Sequence, residues 1–252
     1  MVSAGPACVN VLAAVGHRQR CCPGGRARVA RYLKVEILSL HRDAGRTLRR
    51  RVGVSVIEAM ISLAGVRIEE WRADRPDPAS LEQDIEMLGE VLRAVVYDGA
   101  GVSFVVPFSA EDARAFWLDK VLPGVRAGTR RLLVARLGEP IVGTVQLDLA
   151  VPPNQRHRAE VAKLLVHPDA RRRGIARALM VTLEDVALSE GRTLLTLDTW
   201  TGSSAEQLYR SLGYSVAGVI PRYARGSLTP ELEATTIMYK ELSSAAPAPR
   251  RE

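Results

Sequence analysis

The residues of this 252-residue chain best suited to chemistry are Arg171, Arg172, Arg173, Gly174, Ile175 and Ala176. A strand-like run, Leu164-Leu165-Val166, precedes them, and Pro168 forces a turn. An amphipathic helix is predicted from Ile175, with Ile175, Leu179, Leu183 and Val186 on one face. The start of a helix leaves backbone N–H groups unpaired and carries partial positive charge. Gly174 lets an oxygen approach the main chain with no Cβ in the way, and the arginines can reach further phosphates. The arrangement suits a pyrophosphate. Taken alone, Arg-x-x-Gly-x-Ala reads as a solvated basic turn; the strand before it and the helix after it argue for the ligand. A P-loop is excluded, because no Gly-Lys-Ser/Thr follows, and a Rossmann turn needs two further glycines.

Three titratable side chains stand out nearby. Glu160 lies early in an apolar strand, Val161 to Val166, where a carboxylate is costly unless partnered or useful. Exposure at a strand end, or pairing with Lys163, explains it equally simply. Asp198 interrupts the buried-looking strand Leu194–Trp200 near its C-terminal end, where ligands of α/β sheets gather; it could also cap a loop. Tyr209 shares an apolar stripe with Ala205, Leu208 and Leu212 and could be a packed core tyrosine. Ser203/Glu206 and Ser204/Gln207 are capping pairs. His157 and His167 lack a metal partner at ligand spacing, and His167 reads as a turn residue, so no metal site is expected.

The elements that must position these groups are legible from period and punctuation. Val66–Arg72 alternates as a half-buried strand. Asp77-Pro78 opens a helix whose apolar face is Leu81, Ile85, Leu88, Val91, Leu92 and Val95. Ser109 with Asp112 caps a second helix, predicted to run to Val121 and to stop at Pro123-Gly124. Arg131–Leu137 and Ile141–Val151 form a hairpin around Gly138-Glu139-Pro140. Then follow a strand at Arg158–His167, the basic loop, a helix at Ile175–Leu188 ended by Gly191, and a strand at Thr193–Trp200. A short helix at Ser204–Leu212 and strands at Tyr214–Ile220 and Ala234–Leu242 close the domain. The order predicts a mixed α/β (α+β) sheet with helices on both faces.

Composition bounds the rest. The chain is 47% apolar and 25% charged, with no uninterrupted apolar run long enough to span a membrane. The net charge of +7 is uneven: residues 1–65 hold 11 of the 35 Lys and Arg and three of the 28 Asp and Glu, leaving 24 against 25 elsewhere. That near-neutral remainder, with 5% aromatics, argues against a nucleic-acid partner. All three cysteines, Cys8, Cys21 and Cys22, also fall in the first segment, so a reducing cytoplasm is the default and a thiol nucleophile is excluded from the rest. The first 65 residues show no sustained period beyond candidate elements at Tyr32–Leu40 and Thr47–Leu63. They read as a basic, poorly ordered extension, in preference to a presequence or a nucleic-acid arm, with Met60 an alternative start. The tail 243–252 reads as disordered.

Arg171-x-x-Gly174-x-Ala176 after Val166-His167-Pro168 resembles the acetyl-CoA-binding motif of the GNAT superfamily of N-acetyltransferases. Arg158-Ala159-Glu160-Val161, Leu195 to Thr199, Ala205 to Tyr209 and Gly218 to Leu242 resemble in particular its tabtoxin-resistance acetyltransferases. The likeness is strong from Arg158 to Leu242 and rests on element order alone from Val66 to Gln155. Ala176 departs from the more frequent glycine, which the motif permits. The resemblance implies a GNAT-like, mostly antiparallel central sheet in a domain spanning residues 66–242. It also implies transfer of acetyl from acetyl-CoA to a primary amine by direct attack. The acceptor would be a small amino-acid-like molecule or β-lactam toxin, with no nucleic-acid or membrane partner and a homodimer admitted. Glu160 would be a base working through water, Asp198 a second base or an anchor for the substrate ammonium, and Tyr209 the acid that protonates the thiolate. Backbone N–H groups near Leu165 and Val166 would hold the thioester carbonyl. A non-catalytic acyl-CoA sensor and a protein or peptide N-acetyltransferase are the alternatives.

Overall fold

The computed structural model describes residues 65–74 and 77–243. The elements expected at Tyr32–Leu40 and Thr47–Leu63, the basic extension short of Gly65 and the tail from 244 lie outside the described residues.

Seven strands form one sheet in the order β1-β2-β3-β4-β5-β7-β6. They are β1 Val66–Glu70, β2 Arg130–Leu137, β3 Ile141–Asp148, β4 Arg158–Val166, β5 Leu194–Trp200, β6 Ser215–Arg225 and β7 Leu232–Glu241. Neighbours are antiparallel except β4 and β5, which run parallel. The helices are α1 Pro78–Tyr97, α2 Ala110–Phe116, α3 Leu122–Arg126, α4 Ile175–Ser189 and α5 Ser204–Ser211. The order of strands and longer helices matches the sequence expectation, with a further short helix, α3, before β2.

Both faces of the sheet are covered, which explains why β2 reads as the unbroken apolar run Leu132-Leu133-Val134-Ala135. Leu132 and Val134 join a core with Ile85, Leu88 and Leu92 of α1 and Trp117. Leu133 and Ala135 join the opposite core with Leu179, Met180 and Leu183 of α4. Asp84 of α1 is buried against the sheet. It accepts from Trp71 Nε1 at 2.9 Å and from Arg136 Nη2 at 2.7 Å, while Arg136 Nε donates to Glu69 at 2.8 Å. Lys240 Nζ of β7 donates to Glu184 of α4 at 2.6 Å.

β4 carries a bulge. Thr144 of β3 pairs with Leu165 but Gln146 pairs with Ala162, so β4 has one extra residue between them, and Lys163 there has φ +51°. The bulge switches faces, because side chains alternate with period two. Ala159 and Val161 pack toward α4, and so do Leu164 and Val166, whereas Leu165 joins the core under α1.

Three boundaries differ from the sequence expectation. The second helix does not stop at Pro123-Gly124: a π-helical turn at Trp117–Val121 leads into α3, whose first turn accommodates Pro123 because no N–H is needed there. β3 ends at Asp148, whose carboxylate accepts from Ala150 N at 2.9 Å and turns the chain. β6 continues past Ile220 through Pro221 to Arg225, which an edge strand with a register shift between Ile220 and Ala224 permits.

Gly143 of β3 sets how closely α4 sits on the sheet. A Cβ there would lie 3.0 Å from Leu165 O and 3.2 Å from Ile175 Cγ2. Gly143→Ala is expected to destabilise the fold by about 1–3 kcal/mol, measured by denaturant unfolding; a neutral effect would show that α4 shifts freely.

Candidate active site

β4 and β5 pair only at Arg158–Leu194, Ala159–Leu195 and Glu160–Thr196. Beyond Glu160 they part, and a cleft of about 980 Å³ opens between Val161–Val166 on one side and Asp198–Trp200 on the other. Its remaining wall comes from Gly99–Ser103 after α1, Ala170–Arg172 and Gly174–Arg177 of the basic loop and α4, Leu208 and Tyr209 of α5, and Glu233 of β7. The segment after α1 is tied to the β6–β7 turn by Val106 N donating to Ser227 O at 3.0 Å.

At one end of the cleft α4 begins. Gly174 precedes its first residue with φ +81°, a left-handed conformation that costs a residue with Cβ roughly 1–2 kcal/mol. A Cβ on Gly174 would meet nothing within 4 Å. The glycine is therefore required by backbone geometry and not by crowding, and it leaves the approach to the main chain open. No side chain caps this helix. The first intrahelical bond is Ala178 N to Gly174 O, so the N–H groups of Ile175, Ala176 and Arg177 start the helix without intrahelical partners. Arg171, Arg172 and Arg177 line the cleft here. Arg171 is held by Asp98, at the C-terminal end of α1, and donates through Nε to Val166 O at 3.3 Å. Arg173 is exposed and does not line the cleft.

At the other end Asp198 stands exposed in the cleft, accepting from Thr235 Oγ1 at 3.3 Å. Tyr209 enters from α5, 6% exposed, its ring 5.7 Å from that of Tyr214. Burial first, and the negative charge of Asp198 second, hold its phenol above the ordinary tyrosine range. The phenol is therefore in its neutral, O–H form at neutral pH. α5 itself is fixed by Ser203 Oγ accepting from Glu206 N at 3.2 Å and Glu206 accepting from Gly202 N at 2.7 Å. The Ser203/Glu206 pair thus caps, whereas Gln207 N bonds the Ser203 carbonyl.

Leu165 and Val166 line the cleft as expected. Glu160 does not: its side chain is 54% exposed and lies 3.9 Å from Arg158. His167 is a turn residue, its Nδ1 accepting from Asp169 N at 3.3 Å. Among the described residues no group of three or more His, Cys, Asp or Glu could hold a metal ion, and no helix is long and apolar enough to cross a membrane.

Sequence reasoning missed four cleft residues. Asp98 is 73 positions from Arg171 and gave no local signal. Arg177 and Glu233 look like ordinary surface charges. Lys163 was visible as a cation in an apolar strand, but it read only as a partner for Glu160. In the structure it lies in the cleft.

The fold and cleft define an α/β protein with an uncapped helix start facing an acid and a phenol across a split sheet. A family model described as Acetyltransferase (GNAT) family matches residues 94–214. An uncharacterized N-acetyltransferase in the hisH-hisA intergenic region of Azospirillum brasilense is 33% identical over 118 residues, 46% of this chain and 67% of that protein. N-acetyltransferase 8B of Rattus norvegicus is 37% identical over 87 residues, 34% of this chain; the match spans 39% of that relative's length. Among solved structures, yncA of Salmonella typhimurium with its cofactor acetyl-CoA shares the fold. Its TM-score is 0.55 at 20% identity, covering 73% of this chain and 99% of that one. The chain belongs to the GNAT family of acetyltransferases.

The position of Tyr209 has a spectroscopic consequence. The difference in tyrosinate absorbance between the protein and its Tyr209→Phe variant is expected to be near zero at about pH 10, where an ordinary tyrosine is half ionised. A half-sized difference there would contradict the burial.

Proposed function

We propose that the chain transfers acetyl from acetyl-CoA to the primary amine of a small, amino-acid-like molecule, the class suggested by its likeness to the tabtoxin-resistance enzymes. Residues 66–242 form the working unit. The observation that carries this reading is the uncapped start of α4 at Gly174, opening into the same cleft as Asp198 and Tyr209.

The residues present fit the co-substrate. The N–H groups of Ile175, Ala176 and Arg177 and the open space over Gly174 form a cradle for a pyrophosphate. Arg171 and Arg172 add charge, with Arg173 free to meet phosphates further out. The strand separation leaves the Val161–Val166 edge beside the cleft, where the main-chain N–H of Val166 can hold a carbonyl; that of Leu165 faces β3, in step with His167 N donating to Val142 O. Bound acetyl-CoA supplies an activated acetyl group as a thioester, which passes to the amine nitrogen with release of the CoA thiol.

Asp198 receives the incoming ammonium and draws off the proton that must leave before nitrogen can attack. Tyr209 donates its phenolic proton to the departing sulfur and recovers one from solvent through the cleft. Glu160, outside the cleft wall, reaches the amine only through water, so Asp198 is assigned the larger share.

Two measurements test this. Saturating CoA is expected to raise the melting temperature by several degrees, since a ligand at a hundredfold excess over Kd stabilises by about 2.7 kcal/mol. Unaltered melting would overturn the reading. With an acceptor in hand, Asp198→Asn is expected to lower kcat/KM by roughly 10²–10⁴-fold and Glu160→Gln by less; the reverse order would return the principal role to Glu160.

A further inference from the structure

Lys163 is a charged residue of the cleft that the transfer chemistry leaves unused. It stands on the β4 bulge at φ +51°, a conformation rarely adopted by residues with a Cβ and retained where the surroundings demand it. The bulge puts it in the cleft wall between Val161 and Val166.

Its surroundings serve a cation poorly. Burial pushes its ammonium below the ordinary lysine range, with the negative charge of Asp198 opposing. An ammonium has three donors to satisfy. One reaches Ser103 Oγ at 3.3 Å, and the rings of Phe104 and Phe116 lie at 5.8 Å, near the limit of a cation–π contact. Among the described residues Lys163 forms no ion pair. Asp198 and Glu160 act on it through their fields alone. A half-buried ammonium in a cleft wall without a counter-ion is a site that can take one from a ligand.

Lys163 and Asp198 stand on the two strands that part, β4 and β5, and both line the cleft. The walls therefore carry opposite charges, and an acceptor lying between them meets an acid on one side and an ammonium on the other. A diamine or polyamine would bring a second cation against Lys163, which disfavours it. A molecule with an amine beside a carboxylate satisfies both walls.

We propose that Lys163 is the anion subsite for the acceptor, and that the acceptor is an α-amino acid or close analogue, its carboxylate held by Lys163 and its amine by Asp198. This rests on the acetyl-transfer reading above. Lys163 thereby determines specificity, while the proton transfers stay with Asp198 and Tyr209.

The test uses the full chain, acetyl-CoA and matched probes: the common L-amino acids, their amides, their decarboxylated amines, and spermidine. Thiol release is followed, and CoA binding is checked by melting. At least one amino acid is expected to be acetylated with kcat/KM tenfold or more above its amide and decarboxylated amine. Lys163→Met keeps the aliphatic stem and removes the charge. It is expected to raise KM for the acid by roughly ten- to hundredfold, to abolish the preference over the amide, and to leave KM for acetyl-CoA unchanged without lowering the melting temperature; Lys163→Arg should restore part of the preference. The proposal is overturned if amides, decarboxylated amines or spermidine are used as well as the acids. It is also overturned if Lys163→Met affects acid and amide equally, or if a protein that binds CoA acetylates none of the acids. A protein whose melting CoA does not shift removes the transferase reading and this inference with it.

Discussion

β4 and β5 share hydrogen bonds at three residue pairs and then separate, and the site occupies the gap they leave. Parallel neighbours in a sheet normally continue side by side, because each unpaired N–H or C=O turned from water is costly. Here β3 supports β4 and β7 supports β5 along their outer edges, so each strand survives the separation with one ladder intact. The inner edges are left free for a ligand. The bulge at Lys163 lies in the same stretch, rotating the rest of β4 so that Leu165 anchors under α1 while Leu164 and Val166 stay against α4.

The helix that feeds this gap is located by packing. Gly143 admits Ile175 and Leu179 close to the sheet, and Gly174 turns the chain into α4 with its first N–H groups uncapped. The basic loop ahead of it is pinned by the pairing of Arg171 with Asp98. α1, which ends at that aspartate, is itself locked to the sheet by the buried Asp84, Arg136 and Trp71 contacts. The basic loop is thus referenced to the sheet through α1.

Much of this was legible residue by residue. Alternation and three-four periodicity placed the seven strands and the principal helices, and Ser109, Ser203 and Gly174 announced helix starts that the structure contains. Errors arose where a local rule met a tertiary exemption. Pro123 was expected to end a helix and instead sits in the first turn of the next, and the strand expected to end at Ile220 runs on through Pro221 along a free edge. Of the candidate site residues, Gly174, Asp198 and Tyr209 come together in one cleft, whereas Glu160 and Arg173 stand outside its wall. Glu160 was singled out because its strand is apolar, but a strand shows one face in two, and its face was exposed at that point.

The sequence by itself determined the elements, the glycine-led start of α4 and the family resemblance, since all three depend on residues near one another along the chain. Tertiary structure decided which charges face the cleft. Asp98 and Arg171 are 73 positions apart and pair where the end of α1 reaches the loop after β4, and Lys163 and Asp198 line one cleft because β4 bulges and β5 diverges from it. A bulge is one added residue with no composition of its own, and it reverses the facing of every side chain beyond it.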